Sequence, residues 1–443
     1  MKEDVGVMAD TALCCGCGTC ASICKNGAVT LFLSEELGTY LPSIDRSACT
    51  GCGNCLASCP MMKMLSRQAN LEPADGSSRE IEDECLCGPH LACFMGNSKV
   101  YEVLQRCASG GLVSTFLLFL MEEGEIDDAI ITKPTGENPF RPRAALALSK
   151  DDILKGAGSY YCPVPVNKVL SVVSREDGRY AYVGLPCHLL GLKGAELMME
   201  DLRGKIAYRF GLFCSHTVSF HGTTYLLRRL GVNAAEVTEL FYRSGGWPGG
   251  LIIRTRHGVS RWELPLYWDN IFGKFFFTPT GCLFCDDGLA EEADISFGDA
   301  WLPESYLDNL GKSIIVVRTK RGLELAERVL GKGLVELTSV NADKVIKSQR
   351  DQIFFKKMGI KARLKVARHL GVSIPLTVKG DVPGLGVLET LCATIPLINS
   401  RTSQSAVGRR ILDRIPARFL RYYGKAYQLM LERLQSRYGF LME

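Results

Sequence analysis

Short, continuous apolar runs at 129–132, 180–183, 205–212, 251–255, 293–297 and 313–318 read as strands. The segments between them, with apolar residues three or four apart, read as helices. This alternation predicts an α/β or mixed α+β body over residues 93–357, in two parts, 93–185 and 186–357. Residues 112–123 are apolar nearly all round and predict a buried helix stopped at Gly124. That run is too short to span a bilayer, which needs about 18 continuous apolar residues. Two regions break the pattern. The polar stretch 66–84 marks a linker, taken as 64–92, between an N-terminal module (1–63) and the body. Toward the end, basic residues interleave with Ile411, Leu412, Ile415, Phe419, Leu420, Tyr423, Leu429 and Leu434, a pattern expected to break at Pro416 and Gly424. Residues 358–443 therefore read as a basic helical tail.

Composition adds a compartment. A chain of 443 residues, 47% hydrophobic, has enough apolar mass for two or three domains. Its 19 cysteines, with no apolar leader in residues 1–10, point to reducing surroundings and a cytoplasmic location. The net charge of +4 is uneven: from Arg401 onward eight Arg and one Lys face Asp413, Glu432 and Glu443, leaving the rest slightly acidic. Such a tail suits peripheral docking to an anionic membrane or a partner subunit, or an ordinary surface helix pair, better than nucleic acid.

The cysteines give the chemistry. Nine fall in the first 59 residues, and eight repeat one run: Cys14, Cys17, Cys20, Cys24, then Cys49, Cys52, Cys55, Cys59. Two gaps of two residues and one of three aim three thiolates at one 4Fe-4S cubane, while the fourth ligates the neighbouring cluster. The first cluster then takes Cys14, Cys17, Cys20 and Cys59, and the second Cys49, Cys52, Cys55 and Cys24. Pro60 completes the pattern in the second copy; Lys25 stands in its place in the first. Gly16, Gly18, Gly51 and Gly53 let the loops turn tightly. A zinc site needs four ligands rather than crossed quartets, and a disulfide framework belongs to small secreted chains. Cys15 reads as a non-ligand.

In the body, Ser109-Gly110-Gly111 leads into the apolar helix, as an N-cap or as a phosphate-binding turn. Gly184-Leu185-Pro186-Cys187 and Gly211-Leu212-Phe213-Cys214 each follow an expected strand, placing two thiols at strand ends. Cys282-Leu283-Phe284-Cys285 alone fits half a zinc knuckle, a redox dithiol or two cluster ligands. With Cys187 and Cys214 it makes four, and a third 4Fe-4S cluster is the economical reading. Cys85, Cys87, Cys93, Cys107 and Cys392 read as structural; Cys162, in the loop Gly158-Ser159-Tyr160-Tyr161-Cys162-Pro163, lies beside the expected site.

These motifs, with Gly246-Trp247-Pro248-Gly249 and Asp294-Ile295-Ser296-Phe297-Gly298-Asp299-Ala300-Trp301, resemble the family of coenzyme F420 hydrogenase/dehydrogenase beta subunits, here behind a fused dicluster ferredoxin module. The resemblance runs from residue 11 to about 357. It implies an α+β fold, a dicluster ferredoxin-like domain followed by a mixed α/β flavin and iron–sulfur body. It also implies Cys187, Cys214, Cys282 and Cys285 as ligands of the body cluster, and FAD contacts from Ser109, Gly110, Gly111, Gly158, Ser159 and Tyr160. The implied activity is that of an iron–sulfur flavoprotein oxidoreductase passing electrons between a hydride donor or acceptor, coenzyme F420 for one, and ferredoxin or a partner redox subunit. A ferredoxin-fed reductase of a biosynthetic intermediate and a pure electron relay are the alternatives. Trp247 and Arg243 are candidates for an anionic substrate pocket, or Trp247 for core packing. No catalytic side chain is assigned. No complete G-x-G-x-x-G follows a strand, which disfavours a nicotinamide enzyme.

Overall fold

The computed structural model describes residues 4–70, 86–136, 138–307, 309–375 and 384–440. Thirteen strands are described: β1 (Val29–Ser34), β2 (Thr39–Ile44), β3 (Ala92–Ser98), β4 (Asp128–Lys133), β5 (Arg143–Ala147), β6 (Tyr180–Gly184), β7 (Ile206–Leu212), β8 (Val237–Ser244), β9 (Gly250–Thr255), β10 (Gly258–Glu263), β11 (Ile295–Asp299), β12 (Ser313–Val317) and β13 (Val335–Val340). The six strands expected from apolar runs are β4, β6, β7, β9, β11 and β12. Of the other body strands, β8, β10 and β13 alternate or are polar, whereas β3 and β5 carry four-residue apolar runs, Ala92 to Met95 and Ala144 to Ala147, that are not among the six expected strands.

An eight-stranded sheet in the order β13-β3-β12-β11-β7-β6-β4-β5 forms the body. Strands from both parts of the body share it. Its centre, β4, β6, β7 and β11, is parallel, while β5, β12, β3 and β13 pair antiparallel at the flanks. Parallel strands need covering on both faces, which is why β6 reads as an unbroken apolar run; antiparallel β12 does so as well because it too is buried on both faces. One cover is the helix Leu112–Glu122, whose Phe116 meets Phe210 and Phe297 edge-on at 6.1 and 5.7 Å. It ends before Gly124, whose φ of +66° suits a residue without a side chain. The opposite face packs through Tyr182, Leu189 and Tyr225 toward the small sheet β10-β9-β8.

The N-terminal module pairs β1 with β2 antiparallel and flanks the hairpin with the short helices Thr19–Ile23 and Asn54–Ala57. Its last helix, Pro60–Asn70, runs past residue 63 into the stretch read as linker; residues 71–85, Cys85 among them, lie outside the described residues. The module is stitched to the body by buried Asn167. Its side chain donates to Thr19 Oγ1 (2.8 Å) and to the carbonyl of His188 (2.9 Å), and its own amide donates to the Cys17 carbonyl (2.9 Å).

The tail forms the helices Ile360–His369, Val387–Gln404, Ala406–Arg414 and Ala417–Arg437. The expected break at Pro416 falls between helices, but the one at Gly424 is absent. The last helix continues through Gly424, where an added Cβ would meet the Asp269 carbonyl at 3.2 Å, so glycine serves close packing there. The tail is no loose appendage. Asn399 donates to the Lys274 carbonyl and Ser400 to that of Thr278, both at 2.7 Å, and Arg363 Nε donates to Leu283 O at 2.9 Å. These contacts clamp the 274–283 segment that leads to the paired cysteines. No helix among the described residues is long and apolar enough to cross a membrane.

Candidate functional site

Glycines shape the N-terminal thiol loops. Gly16, Gly18, Gly51 and Gly53 have φ of +69°, +90°, +63° and +75°, values that other residues adopt only under strain. The turns so formed gather Cys14, Cys17, Cys20 and Cys59. Burial pushes the Cys59 thiol up to about 12 with Cys17 adding to it, and burial raises Cys14 and Cys20, with Cys17 and Cys59 contributing to each. In the second set Cys55 is raised by burial with a contribution from Cys52. Cys24 is brought alongside the Cys49 loop by the hairpin, where Asn26 Nδ2 donates to Ala48 O at 3.4 Å. Cys52 is exposed, so this set reaches the surface.

The body thiols come from three places in the fold. Cys187 opens the helix Pro186–Met198 just after β6, and Cys214 follows β7, both at the carboxyl ends of parallel strands. Cys282 and Cys285 sit on the turn Thr280–Phe284 held by the tail. The four converge: burial raises Cys214, and Cys282, Cys187 and Cys285 add to it. Burial pushes Cys285 up to about 12 against the pull of Lys356, with Cys187 contributing again. Among the described residues no group of three His, Cys, Asp or Glu side chains is arranged to hold a single metal ion.

Do these thiols suit a cluster? A buried thiol raised this far stays protonated and ligates nothing unless a cation takes its proton's place. The surroundings supply the converse. Burial pulls the Lys356 ammonium down, yet Cys285, Cys214 and Cys282 outweigh that and hold it above its ordinary value. A buried cation whose neighbours are sulfurs fits a set of thiolates, not of thiols.

One cavity of about 720 Å³ joins the body thiols to the glycine motifs. Ser109 and Gly111 line it, as do Gly158, Ser159 and Tyr160. Gly111 has φ +73° and caps the helix Leu112–Glu122 without any side-chain hydrogen bond, so the amides of residues 112–114, which are among the residues lining the cavity, have no side-chain cap. Gly158, at φ +112°, has no neighbour nearer to an added Cβ than 3.8 Å. Gly110 is placed differently. It lies against the Gly96 carbonyl and the Ser313 amide, where an added Cβ would come within 2.6 and 2.7 Å, and it does not line the cavity. Ser109 spends its hydroxyl on Lys312 O at 2.9 Å. The uncapped helix start and the open glycine loop suit a phosphate-bearing, ring-shaped cofactor. An aromatic wall closes the far side: Trp268 stacks on His216 at 5.5 Å and meets Tyr161 at 4.7 Å.

Arg243 also lines the cavity but is not free to bind an anion. Its guanidinium forms two hydrogen bonds to Asp299, at 2.6 and 3.0 Å, and Trp247 Nε1 donates to the same carboxylate at 3.1 Å. Both side chains are buried structural partners of the β11 end. Cys162 lines the cavity and is pushed up to about 12 by burial; Cys107 donates to Ser109 O at 2.7 Å and shapes that turn.

Sequence reasoning missed two residues. Cys15 lines the cavity with Cys187, and its interaction with Cys17 and Cys187 raises its own thiol and lowers that of Cys17, so it lies between the first N-terminal set and the body set. Lys356 carried no periodic or spacing signal, since only the folded turn brings it to the thiols.

Three family models match the chain: "4Fe-4S dicluster domain" over residues 13–62, "Coenzyme F420 hydrogenase/dehydrogenase, beta subunit N-term" over 93–171, and its C-terminal counterpart over 177–343. Among curated relatives, the coenzyme F420-dependent sulfite reductase of Methanocaldococcus jannaschii is 26% identical over 79% of this chain, which spans about half the length of that relative. One component of the F(420)H(2) dehydrogenase of Methanosarcina mazei is 28% identical over 72% of this chain and 88% of its own length. The coenzyme F420 hydrogenase beta subunit of Methanosarcina barkeri is 26% identical over 58% of this chain and 84% of its own. A chain of the F420-reducing NiFe hydrogenase complex of Methanosarcina barkeri shares the fold, with a TM-score of 0.52 at 23% identity over 66% of this chain and 97% of that one. With both halves of the beta-subunit body matched in order behind a dicluster domain, the chain belongs to the family of coenzyme F420 hydrogenase/dehydrogenase beta subunits.

Proposed function

We propose that the chain is an FAD- and 4Fe-4S-dependent oxidoreductase that moves electrons between a hydride-exchanging small molecule, coenzyme F420 or a compound of like chemistry, and ferredoxin or a partner redox subunit. The observation that carries this reading is the shared cavity, with a glycine-shaped, uncapped helix start on one side and four converging thiols on the other. Cys14, Cys17, Cys20 and Cys59 would hold one cluster, Cys24, Cys49, Cys52 and Cys55 a second, and Cys187, Cys214, Cys282 and Cys285 a third. Ser109, Gly111, Gly158, Ser159, Tyr160 and the amides of residues 112–114 would hold the flavin, with Gly110 setting the strand contact behind them. A flavin supplies the conversion between a hydride, which is two electrons together, and the single electrons that clusters carry.

The chain's own part is placement and exclusion. The helix start favours an anionic phosphate, and the Trp268–His216–Tyr161 wall offers flat apolar surface for a ring. Cys15 lies between Cys17 and Cys187, while exposed Cys52 marks the end where a protein partner can approach. The sulfite reductase relative is about twice as long as its matched part, which favours one variation: this chain as the electron-supplying part of a larger reductase.

Anaerobic purification with iron and flavin counting tests the reading: about twelve irons and one FAD per chain are expected. About eight irons without flavin would overturn it in favour of a relay. Mixing the oxidised protein with reduced F420, then reduced ferredoxin, and following flavin absorbance separates a hydride acceptor from a ferredoxin-fed reductase.

A further inference from the structure

Lys356 lies on a turn where the Gly359 amide bonds to Phe354 O, five residues back, in the π-helical stretch Phe354–Met358. Such one-turn expansions recur at functional sites because they rotate side chains an α-helix would hold elsewhere. Here three consecutive side chains, Phe354, Phe355 and Lys356, are all buried, with Lys356 at 1% exposure. Burying an ammonium costs several kcal/mol unless an anion lies beside it.

Its neighbours find such anions in the ordinary way. Lys357 pairs with the Glu291 carboxylate, and Lys274 has the Asp269 carboxylate nearby while it donates to the neutral Gln428 Oε1 at 3.2 Å. Lys356 instead has Cys285, Cys214 and Cys282 as its electrostatic neighbours and lines the cavity beside them; its Cγ lies beside Gly288, whose carbonyl accepts from the Cys214 amide at 2.9 Å. Among the described residues the N-terminal sets have no counterpart this deep. Lys63, near Cys59, is half-buried, and Arg46, near Cys49, is largely exposed and paired with Asp4.

We propose that Lys356 sets the reduction potential of the group held by Cys187, Cys214, Cys282 and Cys285, its fixed positive charge raising that potential so that single electrons collect beside the cavity. The inference rests on the reading of those four cysteines as cluster ligands. Four thiolates overbalance the positive charge of a cubane core, and each added electron makes the group more negative. A cation in a low-dielectric pocket stabilises the reduced form more than the oxidised form. Lys356 belongs to no family-matched segment, since the matches end at residue 343. It acts through charge on the group, as a positioning residue rather than a catalytic one.

The test is an anaerobic redox titration of the full-length holoprotein, followed by electron paramagnetic resonance, with Lys356→Met and Lys356→Arg beside the wild type. Lys356→Met should shift the body signal negative by at least tenfold in its reduction equilibrium, about 59 mV for one electron. Lys356→Arg should stay near the wild-type value, and the two N-terminal signals should not move in either variant. An unmoved body potential in Lys356→Met with full iron content overturns the proposal. If Lys356→Met loses the body iron while Lys356→Arg keeps it, the charge requirement stands; loss in both assigns Lys356 to packing and overturns it. Failure of the ligand reading looks different, because the wild-type protein itself would then hold only about eight irons and give no third signal.

Discussion

The second N-terminal thiol set and the body set each consist of four cysteines, in different surroundings. The first is open: Cys52 is exposed, and the loops around it turn on glycines with left-handed backbones. The body set lies deeper: Cys285 is buried and Cys187, Cys214 and Cys282 are half-buried at the cavity wall, with buried Lys356 nearby and a column of rings beside it. His216 meets Phe275 at 5.0 Å, Phe275 stacks on Phe355 at 4.2 Å, and Arg363 lies 3.5 Å over Phe355. The open set holds its geometry by local turns and can meet a protein. The deeper set depends on sheet, crossover helix and tail arriving together, and it lines the cavity.

The strongest way to break the comparison is Cys187→Ala. It should lower iron from about twelve to about eight per chain while leaving flavin and both N-terminal clusters in place. Unchanged iron, measured by colorimetric assay, would remove Cys187 from the ligand set. Next comes Gly111→Ala. The new Cβ would meet Val103 Cγ1 at 2.7 Å and sit at φ +73°, a backbone cost of about 1–2 kcal/mol, so flavin content should fall severalfold while N-terminal iron is kept. Full flavin retention with an unchanged Tm would contradict that placement.

The difference also explains what was legible in the chain. The N-terminal sets were readable because ligand spacing, turn glycines and Pro60 are all local. The central strands were readable because burial on both faces leaves continuous apolar runs. Lys356, Arg363 and the tail clamp were not, since each acts across a gap in sequence that only the fold closes, and basic residues read alone suggest a surface. Gly110 and Gly424 were misread for a shared reason. A glycine signals backbone freedom or close approach, and the neighbour that decides between them is remote in sequence.

Acid stability sharpens the contrast further. His188 and His216 flank the body thiols, and burial holds them down to about 4 and about 3. The unfolded chain, with histidines near 6.5, binds more protons than the folded one below that pH. Stability is therefore present above about pH 6.5 and is lost as pH falls from there toward 4. Urea midpoints of the full chain should decline across that window, less steeply in His216→Phe; parallel slopes would deny His216 a share. The smallest effect belongs to Cys15→Ala, which should keep all iron because Cys15 lies between ligands without being one. Loss of four irons would make it a ligand.

The most direct measurement of the central claim, that one cavity couples the hydride site to the body thiols, compares wild type and Cys187→Ala in an anaerobic stopped-flow reaction with reduced F420. Flavin should bleach in both, and N-terminal cluster reduction should follow promptly only in the wild type. Equal rates of N-terminal cluster reduction in the two proteins would contradict the claim.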